Sequence, residues 1–145
     1  MIDIGTIQKL YCELSSKYDV TLVEGAGGLL VPILPKYSYA DLARTLGLPL
    51  LVVAANRLGA INHLLLTLEH ASCRGLTVLG YILNQVTNEP SLATETNPAA
   101  LRSLTSVSCL GEIPYIEGLE TKRTSLADLL ESKLDLQPLG VCLSR

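Results

Sequence analysis

Apolar positions along the chain alternate between helical and strand spacing, and the alternation predicts the order of elements. In residues 4–16, Ile7, Leu10 and Leu14 repeat at helical intervals. Residues 20–23 form a compact apolar run ending in Glu24 and then Gly25, Ala26, Gly27 and Gly28, the composition of a buried strand feeding a tight turn. Pro32 and Pro35 mark the following LLVPILPKY as a loop. Ser38 is placed to cap a short helix through Leu46, with Gly47 and Pro49 as its stop. Residues 50–54 read as the next strand, followed by a helix with Ile61, Leu64, Leu65 and Leu68 on one face and Gly75 at its end. A third strand over 77–83 ends at Asn84, and QVTNEPSLATETN shows no period, as a surface loop does. Asn97 with Pro98 resembles an N-cap and a first-turn proline, opening a helix to about Leu104. A short strand at 107–110 leads into Gly111, Glu112, Ile113, Pro114 and Tyr115. The last helical pattern, 125–134, sets Leu126, Leu129 and Leu130 on one side, and residues 136–145 read as a tail.

Strands separated by helices imply a doubly wound α/β domain, a parallel sheet with right-handed crossovers and helices on both faces. Ligands gather at the carboxyl ends of such strands. Glu24, residues 56–59, Asn84 and the GEIPY segment all follow strand ends, so one edge of the sheet collects the unusual residues.

Composition narrows the function classes. A chain of 145 residues, 48% apolar and 17% charged, suits one packed domain over 1–145. A net charge of -3 offers no basic surface for nucleic acid or anionic lipid. The most apolar stretch, 46–55, contains Gly47 and Pro49 and is much shorter than the roughly 20 residues of a membrane helix. The first residues lack the pattern of a secretory signal, so the expectation is a soluble, cytoplasmic protein. Cys12, Cys73, Cys109 and Cys142 form no CxxC pair and are expected as free thiols. His63 and His70, about 10 Å apart along a helix, cannot share a metal. His63 is a candidate for facing a pocket, and His70 reads as a solvated surface residue.

Glu24 before four small residues has the form of a nucleotide site, where glycines admit a bulky anion and the carboxylate helps hold its magnesium. A glycine turn beside a solvated acid fits the same residues. The wider pattern adds to this, because VEGAGGLLVPI, YADLARTLGLPLLVV, NRLGAINHLLLT and LGEIPY together resemble the dethiobiotin synthetase family over about residues 1–135. The resemblance implies a partial sheet of the P-loop NTPase type in a homodimeric, ATP- and magnesium-dependent ligase of biotin biosynthesis. That enzyme inserts carbon dioxide into 7,8-diaminononanoate: a carbamate forms on one amine, ATP phosphorylates it, and the second amine closes the ring with loss of phosphate. By position, Glu24 matches the magnesium-associated carboxylate, and Gly25, Ala26 and Gly27 the turn beside the nucleotide, with Gly28 toward the substrate. Asn84 matches the adenine-reading asparagine, with Gln85 beside it. An amide both donates and accepts, as the adenine edge requires. Ile113, Pro114 and Tyr115 match the segment flanking the base. Leu58, Gly59, Ala60, Ile61 and Asn62, after Arg57, match the helix start that receives the substrate's carboxylate across the dimer interface. Asn62 serves equally well as a cap, and Tyr115 as core packing.

The departures from the family are as specific as the match. No GxxxxGK[ST] loop occurs, nor the family's lysine near the carbamate or the aspartate that shares the magnesium; Lys9 and Lys17 match neither role. No residue of this chain is therefore assigned as catalytic. Two readings follow. One is the C-terminal portion of the synthetase, inactive alone and dependent on a complementary N-terminal P-loop polypeptide. The other is a non-catalytic dimerising or regulatory module derived from a P-loop fold.

Overall fold

The computed structural model describes residues 2–118 and 123–143. Helix α1 (Ile4–Lys17) is capped by the Asp3 carboxylate, which accepts the Gly5 and Thr6 N–H groups at 3.1 and 3.2 Å. It buries no residue fully. The strand expected at 20–23 does not form; residues 18–31 take no helix or strand, and Leu22 is 90% exposed. A strand owes its ladder to a neighbour. Among the described residues none pairs with this run, so its β-branched composition has nothing to act on.

The expected LLVPILPKY loop contains a small antiparallel ribbon, β1 (Pro32–Leu34) and β2 (Tyr37–Ser38). Pro35 then Lys36, whose φ is 65°, supply the fixed and left-handed positions of a tight turn. Helix α2 (Tyr39–Leu46) opens on a full capping box: Ser38 Oγ accepts the Asp41 N–H, and Asp41 Oδ2 accepts the Ser38 N–H at 2.9 Å. Gly47, at φ 66°, ends it in the left-handed conformation. Arg74, just beyond the next helix, also reaches Asp41 and ties α2 to the main layer.

The central sheet is parallel, in the order β3 (Leu50–Ala55), β4 (Val78–Asn84), β5 (Cys109–Ile113). Helix α3 (Ala60–Cys73) and helix α4 (Leu92–Leu104) are the crossovers. Leu64 and Leu68 of α3 and Leu101 of α4 bury against Tyr81 and Leu83, with Val52 and Ala54 packed alongside, which makes one covered face. Burial, and then the neighbouring Cys109 thiol, push the Tyr81 phenol up to about 12, so it is a core group that stays protonated. On the other face Ile82 and Leu110 are buried, whereas Leu51 and Val53 of β3 stand 38% and 59% exposed. Helix α5 (Arg123–Lys133), with its half-buried Leu126, Leu129 and Leu130, meets β5. The chain then bridges Leu134 to Gly111 and closes the β5 edge, and a short helix, α6 (Gln137–Leu143), stands where a tail was expected. The outer edge of β3 pairs with nothing among the described residues.

Helix α4 corrects the sequence reading at its start. It begins on Ser91, whose Oγ accepts the Thr94 N–H at 3.2 Å while Thr94 Oγ1 accepts the Ser91 N–H at 2.9 Å. Asn97 and Pro98 lie inside it and are buried. A threonine in place of the usual glutamate hid the capping box, and the Asn-Pro pair imitated a later start.

The α2 cap gives a test with a defined pH window. Ser38→Ala lowers unfolding stability by about 1 kcal/mol. Hydrogen bonds from the Ser38 N–H and hydroxyl, aided by Arg74 and Arg44, hold the Asp41 carboxyl below its ordinary 3.8. Its contribution is therefore present above the unfolded value and lost as pH falls through the folded one. Asp41→Asn is expected to lower the thermal midpoint at pH 7 and to converge with wild type as pH falls through the folded value of Asp41 in scanning calorimetry.

Candidate functional site

The parallel sheet sends the ends of β3, β4 and β5 to one side, and a cleft of 460 Å³ opens there. Gln85, Ile113, Pro114 and Tyr115 line it, together with Asn56, Thr94 and Glu95 from the β3 end and α4. Asn84 is the last residue of β4; its carbonyl accepts the Asn56 N–H at 2.8 Å, and Gln85 N–H reaches Ile113 O at 2.9 Å. These two bonds extend the ladder one residue past each strand pair and fix the floor. Asn84 itself is not among the residues that line the cleft, whereas Gln85 is. Glu112 and Lys133 also reach its border. Glu112 is engaged outward, accepting from Arg102 at 2.6 Å, and this bond raises the arginine further above its ordinary value.

Beside the cleft, the segment after β3 forms the start of α3. Ala60 N–H donates to Arg57 O at 3.0 Å, and Gly59 is the N-cap at φ 90°, a left-handed conformation that a side chain would strain. No side chain caps this helix, and the Ile61 and Asn62 N–H groups have no acceptor among the described residues. The other early helices differ: α1, α2 and α4 are capped by Asp3, Ser38 and Ser91. The start of α2 is further consumed by the glycine loop, since Tyr39 and Ala40 N–H groups donate to Val31 and Leu29 carbonyls. The α3 start thus keeps donors and a positive dipole end for an anion.

The first predicted group lies elsewhere. Glu24, Gly25, Ala26 and Gly27 are exposed and do not line the cleft. Gly25 sits against the Tyr39 ring, where a Cβ would come within 3.1 Å, and Gly27 takes φ 89°. Gly28 lines a separate 180 Å³ hollow with Leu29, Leu30, Leu66 and His70. His70 departs from its expected solvated state, because its Nε2 is buried with no hydrogen-bond partner, while His63 is exposed beside Gly59. Among the described residues no three His, Cys, Asp or Glu side chains cluster for a metal, at Glu24 or elsewhere. Cys12, Cys73 and Cys109 are free; the Cys142 side chain lies outside those described. No described helix is long and apolar enough to cross a membrane.

A family model described as an AAA domain matches residues 2–123. The chain belongs to that family. Three relatives named as ATP-dependent dethiobiotin synthetases match most of the chain. It is 41% identical to the ATP-dependent dethiobiotin synthetase of Aromatoleum aromaticum, over 82% of this chain and 52% of that one. With the Aquifex aeolicus synthetase the identity is 44%, over 86% and 57%. With that of Thermodesulfovibrio yellowstonii it is 37%, over 95% and 60%. The resemblance drawn from VEGAGG and NRLGAINH is borne out, and the chain spans somewhat over half the length of these curated relatives.

Sequence reasoning passed over Asn97, Thr94 and Glu95 as site neighbours. The signal was present in Ser91 and Thr94 three residues apart, which move the start of α4 back and place Thr94 and Glu95 on the cleft.

Replacing His70 tests the hollow beside Gly28. An unpaired buried nitrogen costs about 1–3 kcal/mol, so His70→Leu is expected to leave the unfolding midpoint unchanged or higher. A marked drop in urea titration would show that the imidazole has a partner in solution.

Proposed function

We propose that this chain provides the base-binding and substrate-tail side of a dethiobiotin synthetase acting in biotin biosynthesis. The observation that carries the reading is the joining of two features at Asn56: a cleft lined by Gln85, Ile113, Pro114 and Tyr115, and the uncapped start of α3. Identity of 37–44% to named synthetases across most of the chain supports it.

The cleft fits a nucleotide base in size and chemistry. Backbone groups at Ile113 and the Gln85 amide offer donors and acceptors, Tyr115 offers a ring, and Asn84 sets the strand end behind them. Glu24 fits magnesium in a limited sense, as the single carboxylate of an ion whose other ligands are phosphates and water, a usual arrangement for magnesium. Bound there, magnesium with ATP would supply charge neutralisation for phosphoryl transfer. Leu58, Gly59, Ala60, Ile61 and Asn62 would hold the carboxylate tail of 7,8-diaminononanoate through backbone N–H groups. The lining of the cleft has no cradle for the β- and γ-phosphates, so we assign that part to a complementary N-terminal polypeptide carrying the phosphate loop. The assembly would be a cytoplasmic homodimer.

The 145-residue chain alone is expected to form no dethiobiotin from diaminononanoate, bicarbonate, ATP and magnesium. Co-expression with the N-terminal segment of the Aquifex aeolicus relative is expected to give turnover, and Glu24→Gln in that pair to lower it at least about tenfold. Turnover by the chain alone would show a phosphate-binding element within it. An inactive, correctly assembled pair would favour the non-catalytic module.

A further inference from the structure

Asn56 and Asn97 are buried polar residues, 6% and 4% exposed, with no charge. Their bonds form one chain. Asn97 Nδ2 donates to Asn56 Oδ1 at 2.9 Å and to Arg57 O at 3.0 Å; Asn56 Nδ2 donates to Thr94 O at 2.9 Å. The last contact has a cause in the sequence. Thr94 lies four residues before Pro98, and proline has no N–H to give the carbonyl of that rung. Pro98 thus exposes an acceptor inside α4, and the Asn56 amide takes it. The other end of the chain grips Arg57 O, which also receives the Ala60 N–H that opens α3.

We propose that Asn97 and Asn56 are positioning residues that hold the uncapped start of α3 in fixed register with the cleft wall formed by α4. The inference rests on the reading above for its functional sense, since it makes the pair the link between the carboxylate-receiving helix start and the base-binding cleft. The two amides have separable duties. Asn97 restrains the turn at residues 57–59, and Asn56 anchors the Thr94 and Glu95 wall.

Two substitutions separate these duties from general stability. Asn97→Asp keeps the shape but removes both donors and sets a carboxylate against Asn56 Oδ1 and Arg57 O. Asn56→Asp keeps the acceptor for Asn97 and replaces the donor to Thr94 O with a carboxylate oxygen set against it. Hydrogen exchange on the full chain reads the Ala60 amide against that of Leu68 in the middle of α3. Asn97→Asp is expected to speed Ala60 exchange about tenfold beyond any change at Leu68, whereas Asn56→Asp leaves the ratio near its wild-type value. In the complemented enzyme, Asn97→Asp is expected to raise KM for diaminononanoate about tenfold with KM for ATP little changed, and Asn56→Asp to do the reverse. Equal acceleration at Ala60 and Leu68 in both variants overturns the proposal and leaves a plain core pair. Selective exchange together with a wild-type pair that makes no dethiobiotin upholds the positioning of α3 and overturns the enzymatic reading instead.

Discussion

Parallel strands take their hydrogen bonds from neighbours on both sides and their burial from helices on both faces, and β4 is the strand for which all four demands are met. It pairs with β3 and β5, and Tyr81 and Leu83 lie under α3 and α4 while Ile82 is buried on the opposite face. Every other element is ordered by its distance from this strand. β5 has its far edge closed by Leu134, whereas the outer edge of β3 has no partner among the described residues and two of its apolar residues are exposed on one face. Residues 18–31 have no ladder partner among the described residues. The same hierarchy sets where a site can be firm. The carboxyl ends of β4 and its neighbours are held by ladder bonds past the last strand residue, while the loop after Glu24 takes its backbone bonds from the start of α2 and packs against Leu66 and His70 of α3.

That gradient explains what the sequence disclosed. Locally encoded features were legible: the Ser38 capping box, the Gly47 and Gly75 stops, the apolar face of α3, and the runs that became β3 and β4 need only nearby residues to be specified. The run at 20–23 has equal strand propensity, but propensity describes a fit to a pleated, half-buried surface, and none adjoins it. The β1–β2 ribbon was hidden by its prolines, which sit at a strand start and in the turn, where a missing N–H does little harm. His70 was misjudged because its surroundings come from Gly28, Leu29 and Leu30, some forty positions away in the chain.

For the site, the ends of β3 and β4 were legible, since topology alone brings them together, whereas β5 runs on through Gly111 and Glu112 to Ile113, three residues past its expected end. The amide pair was not legible. Asn97 followed by Pro98 fits a helix start, and only the fold shows that the proline lies mid-helix. A mid-helix proline commonly costs about 3 kcal/mol. Part of that cost falls on the unpaired carbonyl, and here the Asn56 amide, 38 residues away, occupies it. A defect in one helix becomes the attachment point of another segment.

The distribution of caps then decides which helix start remains open to a ligand. Side chains take the first N–H groups of α1, α2 and α4, and the glycine loop takes two more from α2. An open N-terminus costs stability unless water or an anion satisfies it. At α3 that cost persists in a segment whose backbone is nonetheless restrained, because Arg57 O accepts from both Ala60 and Asn97. A flexible open terminus would have to be ordered by its ligand, at the expense of affinity. A restrained one presents its N–H groups already aligned. The buried amides therefore do for α3 what a cap does elsewhere, fixing the turn while leaving its donors free, and that combination sets α3 apart from a helix that merely lacks a cap.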